Sequence, residues 1–477
     1  MKELLNEVST WKLEAKLENS KKYFYHIEEA CRVEGGGKAY VIGRKGTGKT
    51  AIAEHLFCLK DHDTFTVKLS FKNFPFNQLY KLKNDDFNNP NQYITLWKYL
   101  IYSSLAKMMI DNKKIDLEIR SKLEQIYTKE PIKSLPNTIK KWVGSTLKLS
   151  FLGTGLEIGT INNNEKNETE WIDRTNVLEE IIEKYIDKSR YYIIFDELDE
   201  DYRDILISKK HQQYTDLLTS LFKSVQDIKS TFIDDNYNIF PVIFLRDDIY
   251  EIIQDPDKNK WNDLKLDLDW NETKIKTLLQ FRLSRAINPE GNILEFGKAW
   301  GNMFVQKDVS YGHRQQKKMS SFNYISRSTL GRPRDYIRYL QLCAELSILK
   351  GKNKVLPSII IESDKAFSNY LKNELVDEIH GAVPEIQDIF NIISHIRKQT
   401  FSIEEFKTAY DMSVKRGEVT DRGVEFILRI LFHFSVIGNQ PKQKNIQVFR
   451  YINKEARFNF SENVIVHRGL FKALQIL

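Results

Sequence analysis

Three glycines, two lysines and two threonines stand in the run Gly43-Arg44-Lys45-Gly46-Thr47-Gly48-Lys49-Thr50, a full match to G-x-x-x-x-G-K-[ST]. These residue types suit one task, the cradling of a polyphosphate. Glycines at 43, 46 and 48 let the backbone curl so that successive N–H groups point at an anion with no Cβ in the way. The positive end of a following helix adds to that field. Lys49 can reach β- and γ-phosphates, and the Thr50 hydroxyl can hold Mg2+. The segment from Gly43 to Ala51 is therefore read as a nucleoside triphosphate site.

The second chemically pointed run is Tyr191-Tyr192-Ile193-Ile194-Phe195-Asp196-Glu197. Five apolar residues ending in two acids predict a buried parallel strand with carboxylates at its C-terminal end, where ligands of open α/β sheets sit. Asp196 is placed to hold Mg2+ through water, and Glu197 to orient and deprotonate an attacking water. A third run, Ile239 to Leu245, reads as another buried strand, closed by Arg246-Asp247-Asp248. Arg246 either stabilises transferred-phosphoryl charge or pairs with Asp247, Asp248 or Glu197. Further on, Gly331-Arg332-Pro333-Arg334 puts cations at a helix start, which the macrodipole disfavours. That cost predicts that Arg332 or Arg334 answers an anion, with the nucleotide the favoured one.

Elements must position these groups. The loop at 43–50 follows a buried-strand pattern (Ala39 to Ile42) and precedes a helical run (Ala51 to Phe57), as its turn from strand to helix requires. Phe65 to Phe71 alternates as a second strand, and Leu264 to Trp270 as a fifth. Between the second strand and Tyr191 lies an insert at about 72–190. Its first half reads as helices over Tyr93 to Met109 and Leu117 to Tyr127; its second half reads as a Gly-rich β-ribbon over 147–159 and a polar loop over 162–167. Residues 1–37 read as helical with a basic aromatic middle, and a helix leading into the loop's strand is expected near the nucleotide base. A core is thus expected over 38–289, followed by a helical lid over 290–375. From about 380 to 477 three helices (Glu385 to Ile396, Ile403 to Val414, Gly423 to Phe434), strands at 436–439 and 446–451, and a last helix from Leu470 predict a winged-helix module. Residues 381–477 carry 14 Lys/Arg against 10 Asp/Glu, a weakly basic balance that leaves DNA and protein partners equally open.

The 477 residues are too many for one ordinary core, and 41% hydrophobic with 29% charged residues exclude a disordered chain. Cys31, Cys58 and Cys343 match no metal or redox spacing, which predicts a reducing, cytoplasmic setting. No apolar run reaches membrane-spanning length, so no membrane partner is expected. The net charge of +7 decides nothing about partners. The nine histidines are scattered, and no nuclease, protease or deaminase grouping stands out.

Taken with the terminal module, the runs Gly43 to Thr50, Phe195-Asp196-Glu197, the Arg246 strand end and Gly331 to Arg334 resemble AAA+ ATPases of the initiator/origin-recognition and STAND type. More narrowly, the Phe-Asp-Glu-Leu-Asp and Phe-Leu-Arg-Asp-Asp-Ile stretches look like a group of bacterial P-loop ATPases, some of them near anti-phage defence genes. The resemblance implies an α/β AAA+-like P-loop core with parallel sheet, helical lid and winged helix. It implies ATP with Mg2+ as ligands, Arg334 as the arginine that senses nucleotide from the lid, and Arg282 or Arg285 as a finger reaching a neighbouring subunit. Arg246 departs from the usual Asn or Thr at its position. The expected activity is an ATP-hydrolysing switch that couples nucleotide state to homo-oligomerisation and to DNA or protein binding. Two alternatives stand beside it: a DNA-associated motor or loader, and a weakly hydrolysing scaffold that holds an effector protein on another chain.

Overall fold

The computed structural model describes residues 2–72, 76–80, 91–127, 167–201, 208–232, 237–441 and 446–476. The expected β-ribbon and polar loop lie outside these residues. The chain divides into two compact units. One comprises His26–Arg44 and Lys49–Leu268; the other comprises Met1–Tyr25, Lys45–Gly48 and Asp269–Leu477.

The first unit is built on five strands: β1 (Tyr40–Ile42), β2 (Thr64–Ser70), β3 (Arg190–Asp196), β4 (Asn238–Leu245) and β5 (Lys265–Asp267). They run in the order β2-β3-β4-β1-β5, and every neighbouring pair is parallel. Parallel strands are covered on both faces, which is why β3 and β4 read as continuous apolar runs: Tyr191 to Phe195 are fully buried. The register sets Ser70 beside Asp196, and Ile42 beside both Leu245 and Asp267. The strand ends that carry Ser70, Asp196, Leu245 and Ile42 thus share one edge of the sheet. This is an α/β architecture built on a five-stranded parallel sheet.

Within the insert, helices Ile94–Asp111 and Leu117–Ile126 stand where the apolar periodicity predicts helix, and helix Asn167–Tyr185 follows them. Ile94–Asp111 is apolar nearly all round and is buried nearly all round, as such a helix must be. Its Trp97 indole N–H donates to the Leu217 carbonyl, 2.8 Å away on helix Ser208–Thr231.

The second unit joins the N-terminal helix Lys2–Ser9 to helices Glu272–Ile287, Phe296–Met303, Ser321–Ser326, Pro333–Leu349 and Pro357–Ile379, with a hairpin of β6 (Val309–Tyr311) and β7 (Lys317–Met319). Leu4, Leu5 and Val8 are buried in the core of this unit. The N-terminal segment, expected near a nucleotide base, is therefore part of the packing of residues 269–477. Gln341 donates to the Trp11 carbonyl at 2.5 Å and helps to fix it there.

Helices Ile386–Ile396, Ile403–Lys415 and Val424–His433 follow, as predicted. Ser402 and Glu405 form a reciprocal capping box that starts the middle one. The sheet beside them has the antiparallel order β8 (Thr400–Phe401), β10 (Asn463–Val466), β9 (Ile437–Gln440). Two expectations are corrected. Residues 446–451 make a single bridge, Asn439 to Val448, and the partner of β9 is the four-residue Asn463–Val466. The final helix is a short 3-10 turn, Arg468–Leu470, followed by turns. Gln475 sits at φ 53°, which no α-helix tolerates, and Leu470, Phe471, Leu474 and Ile476 are buried at irregular spacing. Among the described residues no helix is long and apolar enough to cross a membrane.

Candidate nucleotide site

Loop 43–50 leaves β1 and enters helix Lys49–Phe57. Gly46 and Gly48 have φ of 84° and 101°, the left-handed region that other residues avoid. A Cβ on Gly46 would also come within 3.2 Å of the Arg334 Cβ, a tight approach added to the strained backbone.

In the first unit, the Lys49 ammonium donates to the carbonyls of Gly43 (2.7 Å) and Arg44 (3.0 Å). Its pKa is lowered. Burial is the main cause, the charge of Arg246 acts in the same direction, and Asp199, Asp247 and Asp248 oppose it. Asp196 is buried at the end of β3, and its Oδ1 accepts the Glu197 N–H at 3.0 Å. Glu197 has φ 61°, a strained backbone for a side chain of its size, of the kind that collects at functional sites. The Ser70 hydroxyl donates to the Glu197 carboxylate. Sequence reasoning passed over Ser70; its place as the last residue of an alternating strand is the only signal it gives.

Arg246 grips Asp248 with two hydrogen bonds, Nε to Oδ1 at 3.0 Å and Nη2 to Oδ2 at 2.6 Å, and lies 3.7 Å from Asp199. Of the two readings of Arg246, the structure displays the pairing with Asp248. The donors at Thr50 and Asp196 are hard oxygens, which suits Mg2+. They are the residues that would hold it, and the ion would supply positive charge to a phosphoryl group.

In the second unit, Lys45–Gly48 pack with residues from beyond 269. The Trp270 indole N–H donates to the Thr47 carbonyl at 2.8 Å, and the Arg334 N–H lies 3.4 Å from the Gly46 carbonyl. Glu374 sits between two cations, 3.2 Å from Arg334 Nη1 and 3.4 Å from Lys45 Nζ. Arg332 is 2% exposed; its guanidinium binds Asp335 (3.0 Å), Glu378 (2.5 Å) and the Lys45 carbonyl (3.1 Å). Despite burial, which works the other way, these carboxylates hold its pKa well above the usual arginine value. The cations at this helix start do answer anions, and the anions here are carboxylates of the chain itself.

Arg282 and Arg285 lie on helix Glu272–Ile287. Arg282 is buried between the rings of Trp11 and Tyr23, 4.6 Å from each centroid, and pairs with Glu18 at 2.6 Å. Arg285 is half-buried and donates to the Pro289 (2.7 Å) and Gly291 (2.9 Å) carbonyls, closing the turn after its helix.

Residues 273–376 match a family model described as the FunZ-associated C-terminal helical domain. No curated protein matches the chain. Among solved structures, the chain is similar to the ORC1 protein of Aeropyrum pernix in complex with DNA, at 11% identity over 97% of this chain and 96% of that one, TM-score 0.40. It is also similar to the ORC2 protein of Aeropyrum pernix, solved as ADPNP–ADP complexes (12%, 94% and 88%, TM-score 0.38), and to CDC6P of Pyrobaculum aerophilum (12%, 92% and 86%, TM-score 0.28). Similarities this low transfer no function.

Proposed function

We propose that the chain is an ATP-binding, Mg2+-dependent ATPase that works as a switch. One observation carries the reading: loop 43–50 leaves a parallel sheet whose same edge bears Asp196 and Glu197. Backbone N–H groups of the loop and the Lys49 ammonium would bind the phosphates, with Lys49 exchanging its two loop carbonyls for phosphate oxygens. Glu197 would orient water and take its proton. The switch character is supported by the packing of Lys45–Gly48 on Trp270, Arg332 and Arg334, since a phosphate that reshapes the loop must also change those contacts. Nucleotide can shift that equilibrium only by its differential affinity for the two arrangements.

The output we assign is assembly of a homo-oligomer, with Arg285 as the arginine offered to a neighbour's phosphate. Arg282 is the less suited of the two, because it is buried and ion-paired with Glu18, whereas Arg285 is half-buried and would give up only two carbonyls of the turn after its helix. A second reading, DNA binding, is favoured by the three helices and three-stranded antiparallel sheet of residues 386–466, which we read as a winged helix. An effector protein and a role in anti-phage defence belong to the same proposal through the resemblance of the nucleotide motifs.

The test is light scattering after size exclusion on wild type and Glu197→Gln, each with and without ATP·Mg2+. The variant is expected to assemble and stay assembled with ATP, while wild type assembles transiently. Unchanged mass in all four samples defeats the assembly switch.

A further inference from the structure

Three side chains that the sequence scatters over 30 residues meet in the first unit: His26, Glu34 and His55 each offer a ligand atom, and these atoms all lie within 4.8 Å of one another. Glu34 closes helix Glu28–Glu34, His26 precedes that helix, and His55 lies on helix Lys49–Phe57. His55 Nε2 is 3.2 Å from Glu34 Oε2, and the two imidazoles meet edge to face with centroids 4.7 Å apart. The Glu34 backbone is itself fixed, its carbonyl accepting from the Arg190 guanidinium (3.0 Å) and the Tyr192 hydroxyl (2.5 Å).

We propose that His26, Glu34 and His55 bind a transition-metal dication of the Zn2+ class. Two imidazoles and one carboxylate form a ligand set that such ions take up with one position left for water. Ligands 2.0–2.2 Å from a tetrahedral centre stand roughly 3.4 Å apart, and the His55–Glu34 pair already has that spacing. His26 is exposed, so its ring can close the remaining distance and leaves the fourth position to solvent. The donor set differs from the hard oxygens of Thr50 and Asp196, so this site does not compete for Mg2+. Bound metal ties the chain ahead of helix Glu28–Glu34 to the helix that begins at Lys49, which makes it a staple beside the phosphate loop's own helix.

The experiment uses the untagged full-length chain, stripped with a chelator and titrated with Co2+, then with Zn2+ in competition. One equivalent of Co2+ with a four-coordinate visible spectrum is expected, displaced by Zn2+ and unaffected by millimolar Mg2+. His26→Ala and Glu34→Gln are each expected to weaken binding by at least about tenfold, the lower end of what losing even an outlying partner of a ligand costs. Zn2+ should raise the thermal midpoint of wild type and leave that of His26→Ala unchanged. A cooperative melt of His26→Ala in chelator at the wild-type midpoint shows that the variant is folded. Absence of a four-coordinate spectrum, or His26→Ala binding as tightly as wild type, overturns the proposal.

Discussion

The Ser70 hydroxyl donates to the Glu197 carboxylate, across the carboxyl ends of two adjacent parallel strands where Ser70 pairs in register with Asp196. A hydrogen bond of this kind holds the carboxylate in one orientation and is worth about 1.5–3 kcal/mol. Ser70→Ala is therefore expected to leave ATP affinity unchanged and to lower the single-turnover rate by up to about tenfold. Glu197→Gln should lower that rate by about 10²–10⁴ with binding retained. Single-turnover kinetics with labelled ATP reads both; an unaltered rate in Ser70→Ala reduces its bond to packing.

Arg332 is a test of structure against sensing. Its guanidinium is buried with Asp335 and Glu378. Removing one partner of a buried ion pair strands the others and costs about 3–5 kcal/mol. Arg332→Met should lower the urea midpoint of unfolding accordingly, whether or not nucleotide is present. A sensor of nucleotide would behave differently, losing ATP affinity at unchanged stability.

Burial pushes the Lys49 ammonium below the ordinary lysine range. A phosphate beside it would push the pKa up again. Binding then takes up a proton at alkaline pH, so ATP affinity should be highest below the pKa of the free protein and fall as pH rises through it. The same depressed pKa makes the unfolded chain bind more protons than the folded one in that window, so Lys49 adds to stability as pH rises. Calorimetric titrations in buffers of different ionisation enthalpy measure the proton uptake directly. Lys49→Met should abolish both the uptake and most of the binding; a flat pH profile in wild type would remove the ammonium from the phosphate site.

What could be read from sequence followed from how local each determinant is. Tyr191 to Phe195 reads as a buried parallel strand because burial on both faces imposes an unbroken apolar run, and the two acids mark its carboxyl end. Ser70 could not be seen, since its role depends on the register between β2 and β3, more than a hundred residues apart. At Arg332 the macrodipole asks for an anion, with the nucleotide favoured; the anions met in the structure are carboxylates, one of them Glu378 from the next long helix. Asn463–Val466 is too short to announce itself as a strand, and the left-handed Gln475 that ends the expected helix carries no glycine to betray it. His26, Glu34 and His55 meet only in the folded chain, where His55 on helix Lys49–Phe57 comes within 3.2 Å of Glu34.

Glu374 holds two cations at once, Arg334 and Lys45, and neither pair is more than a third exposed. Lys45 belongs to the loop at 43–50 and Arg334 to the helix start that touches Gly46, so under the proposed function Glu374 would compete with a polyphosphate for both charges. Partly exposed pairs are worth about 0–1 kcal/mol each, and tenfold in affinity is 1.4 kcal/mol. Glu374→Gln should therefore tighten ATP binding by about 3- to 10-fold, and less at high salt, where screening weakens the competition. Arg334→Ala should weaken it. The double variant separates the routes: if Glu374 acts by restraining Arg334, its gain largely disappears in the Arg334→Ala background, leaving only the part that Lys45 contributes. Equal ATP dissociation constants for wild type and Glu374→Gln would mean that the carboxylate restrains neither cation from the nucleotide, and the coupling assigned to Arg334 would lose its support.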